Sequence, residues 1–140
     1  MSTKAEIVVK DVMLPLSQTP LANKNEIFAE VLKTMDAHSL GVTCVLDDIG
    51  SLVGIITDGD VRRLLSTSQK PIAALMTDNV AKHANLLPKT IDENASIEEA
   101  ISVMSRWQVW DLPVTKDTKL VGLMHLHPAL KFVLEKLENN

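Results

Sequence analysis

The chain repeats itself at a separation of about 69 residues, and that internal similarity requires a fold built from two similar halves. Phe28 to Met35 (FAEVLKTM) aligns with Ile97 to Met104 (IEEAISVM), placing Glu30 on Glu99, Leu32 on Ile101 and Met35 on Met104. Both segments predict helices. Ile27, Phe28, Val31, Leu32 and Met35 fall on one face at the 3.6-residue period, as do Ile97, Ala100, Ile101 and Met104. Ser96, followed by Glu98 and Glu99, has the chemistry of a helix start. After each helix come two apolar runs around a polar turn, TCVLDDIGSLVGIIT and LPVTKDTKLVGLMH, which predict β-hairpins. The second turn, Lys116 to Lys119, is one residue shorter than Asp47 to Ser51, so Gly54 matches Gly122 at a spacing of 68. A last helix closes each half, Asp60 to Ser66 and about His127 to Leu137, and an upstream match sets Val12-Met13 against Leu75-Met76.

Each half therefore reads β-α-β-β-α, and the fold class is α+β. A half of roughly 60 residues is marginal alone. The two copies, 7–70 and 71–137, are expected to pack through their sheets with pseudo-twofold symmetry. With 3% aromatic residues and no Tyr, the core falls to Leu, Ile, Val and Met, and a base-stacking platform is poorly supplied. The net charge of −4 is dispersed without blocks of like sign, which argues against a nucleic-acid partner. The lone Cys44 sits in an apolar run and cannot form an internal disulfide. No stretch of 18 apolar residues occurs, and Met1 to Val9 lacks the apolar core of a leader. The expectation is a soluble cytoplasmic chain without a membrane partner.

Chemistry gathers at Gly54-Ile55-Ile56-Thr57-Asp58-Gly59-Asp60-Val61-Arg62-Arg63, where a strand ends and a helix begins. N–H groups at a helix start favour an anion. Thr57 and Asp60 can hydrogen-bond sugar hydroxyls, and Arg62 or Arg63 can neutralise phosphate. The same residues also suit plain helix capping, in which Thr57 or Asp58 caps the helix, Gly59 eases a tight turn and the arginines are solvated. No activated nucleophile, catalytic carboxylate pair or phosphate loop of the G-x-x-x-x-G-K type is present, so no enzyme and no cofactor is expected.

The tandem repeat with G-x-x-T-x-x-D at the strand–helix junction resembles a CBS domain pair, or Bateman module, over residues 7–137. The resemblance implies a regulatory module in which Thr57 and Asp60, with Asp58, Gly59, Arg62 and Arg63 around them, hold the ribose and phosphate of a nucleotide-type ligand. It implies an apolar slot for the base, with Leu21, Ala22, Thr43 and Cys44 as candidates, and association into a homodimer. In the second copy His125 stands in place of Thr57 and Pro128 in place of Asp60, so the ribose carboxylate is missing there. The strings TDGDVRRLL and GLMHLHPAL further resemble the regulatory region of arabinose-5-phosphate isomerase-type sugar-phosphate isomerases, from which Pro128 departs. That likeness implies a sugar-isomerase domain as partner, in cis or in trans, for which this chain has no room, and CMP-Kdo beside adenine nucleotides as ligand. His125 and His127 would share one face of a strand and reach a ligand cleft; no metal is assigned to them. Trp107 and Trp110 are expected in packing or at a dimer contact, and Lys131 to Asn140 as an amphipathic helix.

Overall fold

The computed structural model describes residues 7–139; Met1 to Glu6, which hold much of the segment read above for a leader, and Asn140 lie outside the described residues. The first repeat contains β2 (Leu21–Asn23), α2 (Phe28–His38), β3 (Val42–Leu46), β4 (Leu52–Thr57) and α3 (Asp58–Thr67). The second contains β5 (Ile91–Asp92), α5 (Ile97–Trp107), β6 (Asp111–Lys116), β7 (Lys119–His125) and α6 (Leu126–Glu138). The β-α-β-β-α order and the α+β class are those read from the sequence. Ahead of each stands a short segment, α1 (Val9–Val12) with β1 (Leu14–Pro15), and α4 (Ile72–Met76) with the single helical turn Val80–Lys82.

Local chemistry explains the elements. Ser96 accepts from Glu99 N–H at 3.1 Å and starts α5, whereas Ile27 has no side-chain cap and Phe28 N–H is met by the Asp78 carbonyl at 2.8 Å. In the first hairpin Asp47 accepts from Ile49 N–H and Ser51 N–H at 3.1 and 2.8 Å, and Gly50 supplies a φ of 85°. Helices α2 and α5 both end on a left-handed residue, Ser39 and Gln108, with φ of 54° and 53°. β2 pairs parallel with β3, and β5 with β6, each pair bridged by its helix, while both hairpins are antiparallel.

The chain divides into two compact units, Gln18–Pro88 and Met1–Ser17 with Lys89–Asn140, so compactness does not divide it at 70/71 where the sequence repetition does. The cause is an exchange of leading segments. Val9 and Lys10 N–H groups bond the carbonyls of Ala95 and Glu93 at 2.8 and 3.0 Å, and β1 pairs with β7, giving the sheet order β1-β7-β6-β5. Conversely, Val80 N–H bonds the Glu26 carbonyl at 2.8 Å, and Asn85 bridges Ile55 at the outer edge of the sheet β2-β3-β4. These bonds put Val9 on Val80 and Leu14 on Asn85, a spacing of 71. The expected match of Val12-Met13 with Leu75-Met76 is therefore incorrect: backbone hydrogen bonding, which shared side-chain types do not report, sets the register.

Each unit has its own core. Phe28, Val31, Val45, Ile56 and Val80 are fully buried in one; Val9, Ala100, Leu112, Val114 and Met124 in the other. Gly54 and Gly122 lie where the exchanged segments cross: a Cβ would come 2.4 Å from the Asn85 carbonyl oxygen and 2.5 Å from that of Leu14. Among the described residues no helix is long and apolar enough to cross a membrane.

Candidate functional site

Strand β4 passes into α3 without a loop, because Thr57 is at once the last strand residue and the helix N-cap. The helix thus starts at Asp58 rather than at Asp60. The Thr57 hydroxyl accepts from Asp60 N–H at 3.2 Å and donates to Asp60 Oδ2 at 3.0 Å, and Asp60 Oδ2 accepts from Thr57 N–H at 2.9 Å. This is a reciprocal capping box with Asp in the third helical position. The remaining carboxylate oxygen accepts from Arg63 Nη2 at 2.8 Å, an ion pair whose side chains are 63% and 25% exposed. Arg62 and Asp58 are exposed. Gly59 does not ease a left-handed turn, since it lies inside the helix; a Cβ there would stand 3.2 Å from Arg63 Nη1, so the missing side chain leaves room for the guanidinium to fold back on Asp60. Gly41 does need its freedom: its φ is 68°, its carbonyl accepts from Asp58 N–H at 2.9 Å, and a Cβ would sit 2.6 Å from Asp58 Oδ2.

Strand register decides which residues share a face with Thr57. Val42 pairs with Thr57, Cys44 with Ile55 and Leu21 with Cys44, so Leu21, Val42, Cys44, Ile55 and Thr57 lie on one face of the sheet. Ala22, Thr43 and Ile56 lie on the other, where Ala22 and Ile56 belong to the core beneath α2 and α3. The four expected base-slot residues thus divide into two pairs, and Val42 and Ile55 join Thr57's face unforeseen. Thr43 is fully buried and its hydroxyl has no partner among the described residues. Leu21 and Ala22 also line a hollow of about 270 Å³ with Asn23, Glu26, Leu46 and Asp47. Leu46 is four residues along β3 from the partner of Thr57, so this hollow lies ~13 Å from the capping box along the strand.

The second repeat keeps the backbone of this junction and changes its chemistry. Leu126 N–H bonds the Trp110 carbonyl at 2.8 Å, as Asp58 N–H does that of Gly41. His125 is the N-cap of α6 but makes no cap bond; its Nδ1 is 2.6 Å from Asp111 Oδ1. Burial pushes the Asp111 carboxyl above its ordinary value, with the hydrogen bond and charge of His125 pulling the other way. Pro128 occupies the third helical position, where a missing N–H costs nothing. The strand ends at His125 and His127 is exposed in the first turn of α6, so the two histidines do not project from one strand. No group of three or more His, Cys, Asp or Glu able to hold a metal occurs among the described residues.

Two clusters escaped the sequence reading. Asp111 pairs with His125 across β6 and β7, a partnership that the hairpin register could have signalled. Asp78 is gripped by Lys70 through both oxygens at 2.8 Å and by His83 Nε2 at 2.9 Å, and Lys70 first, then His83, hold its carboxyl down at about 2. His83 also stands edge-on to Phe28 with centroids 5.7 Å apart. Trp107 carries the Lys89 ammonium 3.8 Å over its ring, and Trp110 is 70% exposed.

Comparison with known proteins agrees with the fold. The chain is 30% identical to protein RP505 of Rickettsia prowazekii over 124 residues, 87% of this chain and 36% of that protein. It spans only 36–39% of the length of the first five curated relatives it matches. The fold superposes on the crystal structure of CBSX2 in complex with AMP with a TM-score of 0.80 at 22% identity, covering 91% of this chain and 96% of that one. On the CBS domain pair of protein MJ0100, in complex with 5'-methylthioadenosine and S-adenosyl-L-methionine, the TM-score is 0.74 at 25% identity, covering 94% and 99%. The family model of the CBS domain matches twice, at residues 9–67 and 72–127, and the chain belongs to the CBS domain family.

Proposed function

We propose that this chain is a regulatory module that binds a ribonucleotide-type ligand at the β4–α3 junction of its first repeat. The observation that carries the reading is the convergence of the Thr57 hydroxyl and the Asp60 carboxylate at a helix start, with Arg63 against the carboxylate. A carboxylate offers about four acceptor positions, and Thr57 N–H, Thr57 Oγ and Arg63 take three. Release of the exposed Arg63 opens a carboxylate edge to the ribose diol and frees a guanidinium for phosphate. Leu21 and Cys44 are the base-slot candidates that share Thr57's face, with Ile55 beside them. Arg62, Asp58 and Gly59 frame the phosphate end. The second repeat has no carboxylate at Pro128, so one principal site per chain is proposed, with His125 and His127 available only to a different contact.

The MJ0100 pair, which binds two adenosine compounds, supports an adenine nucleotide as ligand. The strings TDGDVRRLL and GLMHLHPAL support CMP-Kdo, with a sugar-phosphate isomerase domain as the partner that senses the bound state, in cis or in trans. The greater length of the matched relatives is consistent with the cis arrangement. A cytoplasmic setting and a homodimer complete the proposal. Isothermal titration with AMP, ATP and CMP-Kdo is the test. One ligand is expected to bind with a stoichiometry near one per chain, and heat from none of the three would overturn the reading.

One observation favours a second reading, an interaction scaffold without a small-molecule ligand: the capping box is already closed, each of its polar groups having a partner within the box or on Arg63. Under that reading Thr57 and Asp60 act on stability alone.

A further inference from the structure

We infer that Arg63 is a lock on the first-repeat junction: it holds the Asp60 carboxylate in place of a ribose diol and yields to a ligand that carries a phosphate, so the site admits nucleotides over nucleosides. The inference rests on the ribose site proposed above and names how that site selects. Asp60 Oδ2 is committed to the helix cap, accepting from Thr57 N–H at 2.9 Å and from the Thr57 hydroxyl at 3.0 Å. The hydroxyl thereby uses its one proton on Asp60, and it also accepts from Asp60 N–H at 3.2 Å. A diol must therefore donate to Oδ1, where Arg63 Nη2 already stands at 2.8 Å. A carboxylate oxygen accepts about two hydrogen bonds, so with Arg63 in place one position is left for two hydroxyls. Gly59 permits the contact. A Cβ there would lie 3.2 and 3.3 Å from Nη1 and Nη2 of Arg63 and press the guanidinium away.

The lock is weak, and phosphate can open it. Its two side chains are 63% and 25% exposed, and an ion pair in that setting is worth little against solvent. A phosphate offers the same guanidinium a bidentate, charge-assisted partner, so a nucleotide replaces the contact it breaks. A nucleoside breaks it with nothing in exchange. In the second repeat Pro128 stands at the carboxylate position, His127 at that of Gly59 and Lys131 at that of Arg63. Lys131 is exposed and forms no ion pair among the described residues. Where the carboxylate is gone, the contact that covers it is gone as well.

Isothermal titration of the full chain with two matched pairs, AMP with adenosine and CMP with cytidine, tests this whichever base the site prefers. Wild type is expected to bind the nucleotide of a pair about tenfold tighter than the nucleoside or more. Arg63→Ala should tighten the nucleoside about two- to fivefold, the value of an exposed ion pair, and weaken the nucleotide about tenfold. Gly59→Ala, which crowds the guanidinium without removing it, should tighten the nucleoside in the same direction. Raising NaCl from about 50 to about 500 mM screens both contacts, so it should weaken the nucleotide and tighten the nucleoside. Lys33→Ala removes an exposed pair of the same spacing, with Glu30 at 3.2 Å, and leaves both affinities unchanged; circular dichroism of each variant reports that the fold is intact. A nucleoside that binds Arg63→Ala no tighter than wild type, or a nucleotide that binds it equally well, would overturn the lock and leave the ribose site standing. Heat from none of the four compounds, in wild type and in Arg63→Ala alike, would remove the site and the lock with it.

Discussion

Replacing Asp60 separates the two jobs assigned to it, because capping needs an acceptor whereas ribose binding needs a carboxylate. In Asp60→Ala the half-buried Thr57 N–H and hydroxyl lose acceptors at 2.9 and 3.0 Å. A lost N-cap interaction costs about 0.5–2 kcal/mol. The Arg63 pair adds a few tenths of a kcal/mol at most, since the Arg63 side chain is 63% exposed and the pair is screened by solvent. The expected cost is about 1–2 kcal/mol, which in a chain of this size lowers Tm by roughly 4–8 °C. Asp60→Asn keeps one oxygen for Thr57 N–H and is expected to lose about half as much. Thermal and urea unfolding of both variants, with and without AMP, read the two jobs independently. Saturation at about 100 times Kd stabilises a binding-competent protein by about 2.7 kcal/mol, and both variants are expected to lose that gain. An Asp60→Ala protein that melts within about 1 °C of wild type would refute the capping argument. An Asp60→Asn protein with the full AMP-induced rise would refute the ribose assignment and leave the cap intact.

Gly54→Ala and Gly122→Ala each drive a Cβ to within 2.5 Å of a backbone carbonyl oxygen, so each is expected to cost about 1–3 kcal/mol in urea unfolding; tolerance of either would show that the crossing segment is not held there. Asp78 is held at about 2 in the folded chain against an ordinary 3.8, so its contribution is complete above 3.8 and is lost as pH falls from there through about 2. Unfolding free energy measured across that window should drop in wild type and flatten in Asp78→Asn. Asp111 acts with the opposite sign: burial raises its folded-state value, so its contribution is present below 3.8 and is lost as pH rises through the raised value. Stability of Asp111→Asn relative to wild type should therefore grow with pH across that interval, and a carboxyl titration by NMR with a midpoint at or below 3.8 would contradict the burial argument.

The repeat, the helix faces and the strand–helix junction were legible in the sequence because they are local regularities. A period of 3.6 residues marks Ile97, Ala100 and Met104 as one buried face whatever lies beyond the helix, and all three are buried. The junction at Thr57 was equally plain, though the same residues spelled both a cap and a ribose site, and the cap is what the geometry displays. The base slot shows how far period-two reasoning reaches. Leu21 and Ala22, and Thr43 and Cys44, are neighbours in strands, so neither pair could share a face, but only the strand extents and the pairing of Val42 with Thr57 reveal which member of each joins the junction.

What the tertiary structure alone decided depends on partners far apart in the chain. Val9 bonds Ala95, Val80 bonds Glu26, and Asn85 crosses Gly54, so each repeat's leading segment completes the other's core, at a spacing of 71 that similarity of side chains did not disclose. Asp111 likewise became legible only when the β6–β7 register set it beside His125. Periodicity records which side of an element is buried, and for that one sequence suffices. Which distant backbone carbonyl satisfies a given N–H is settled only when the chain has folded and every such group must find a partner.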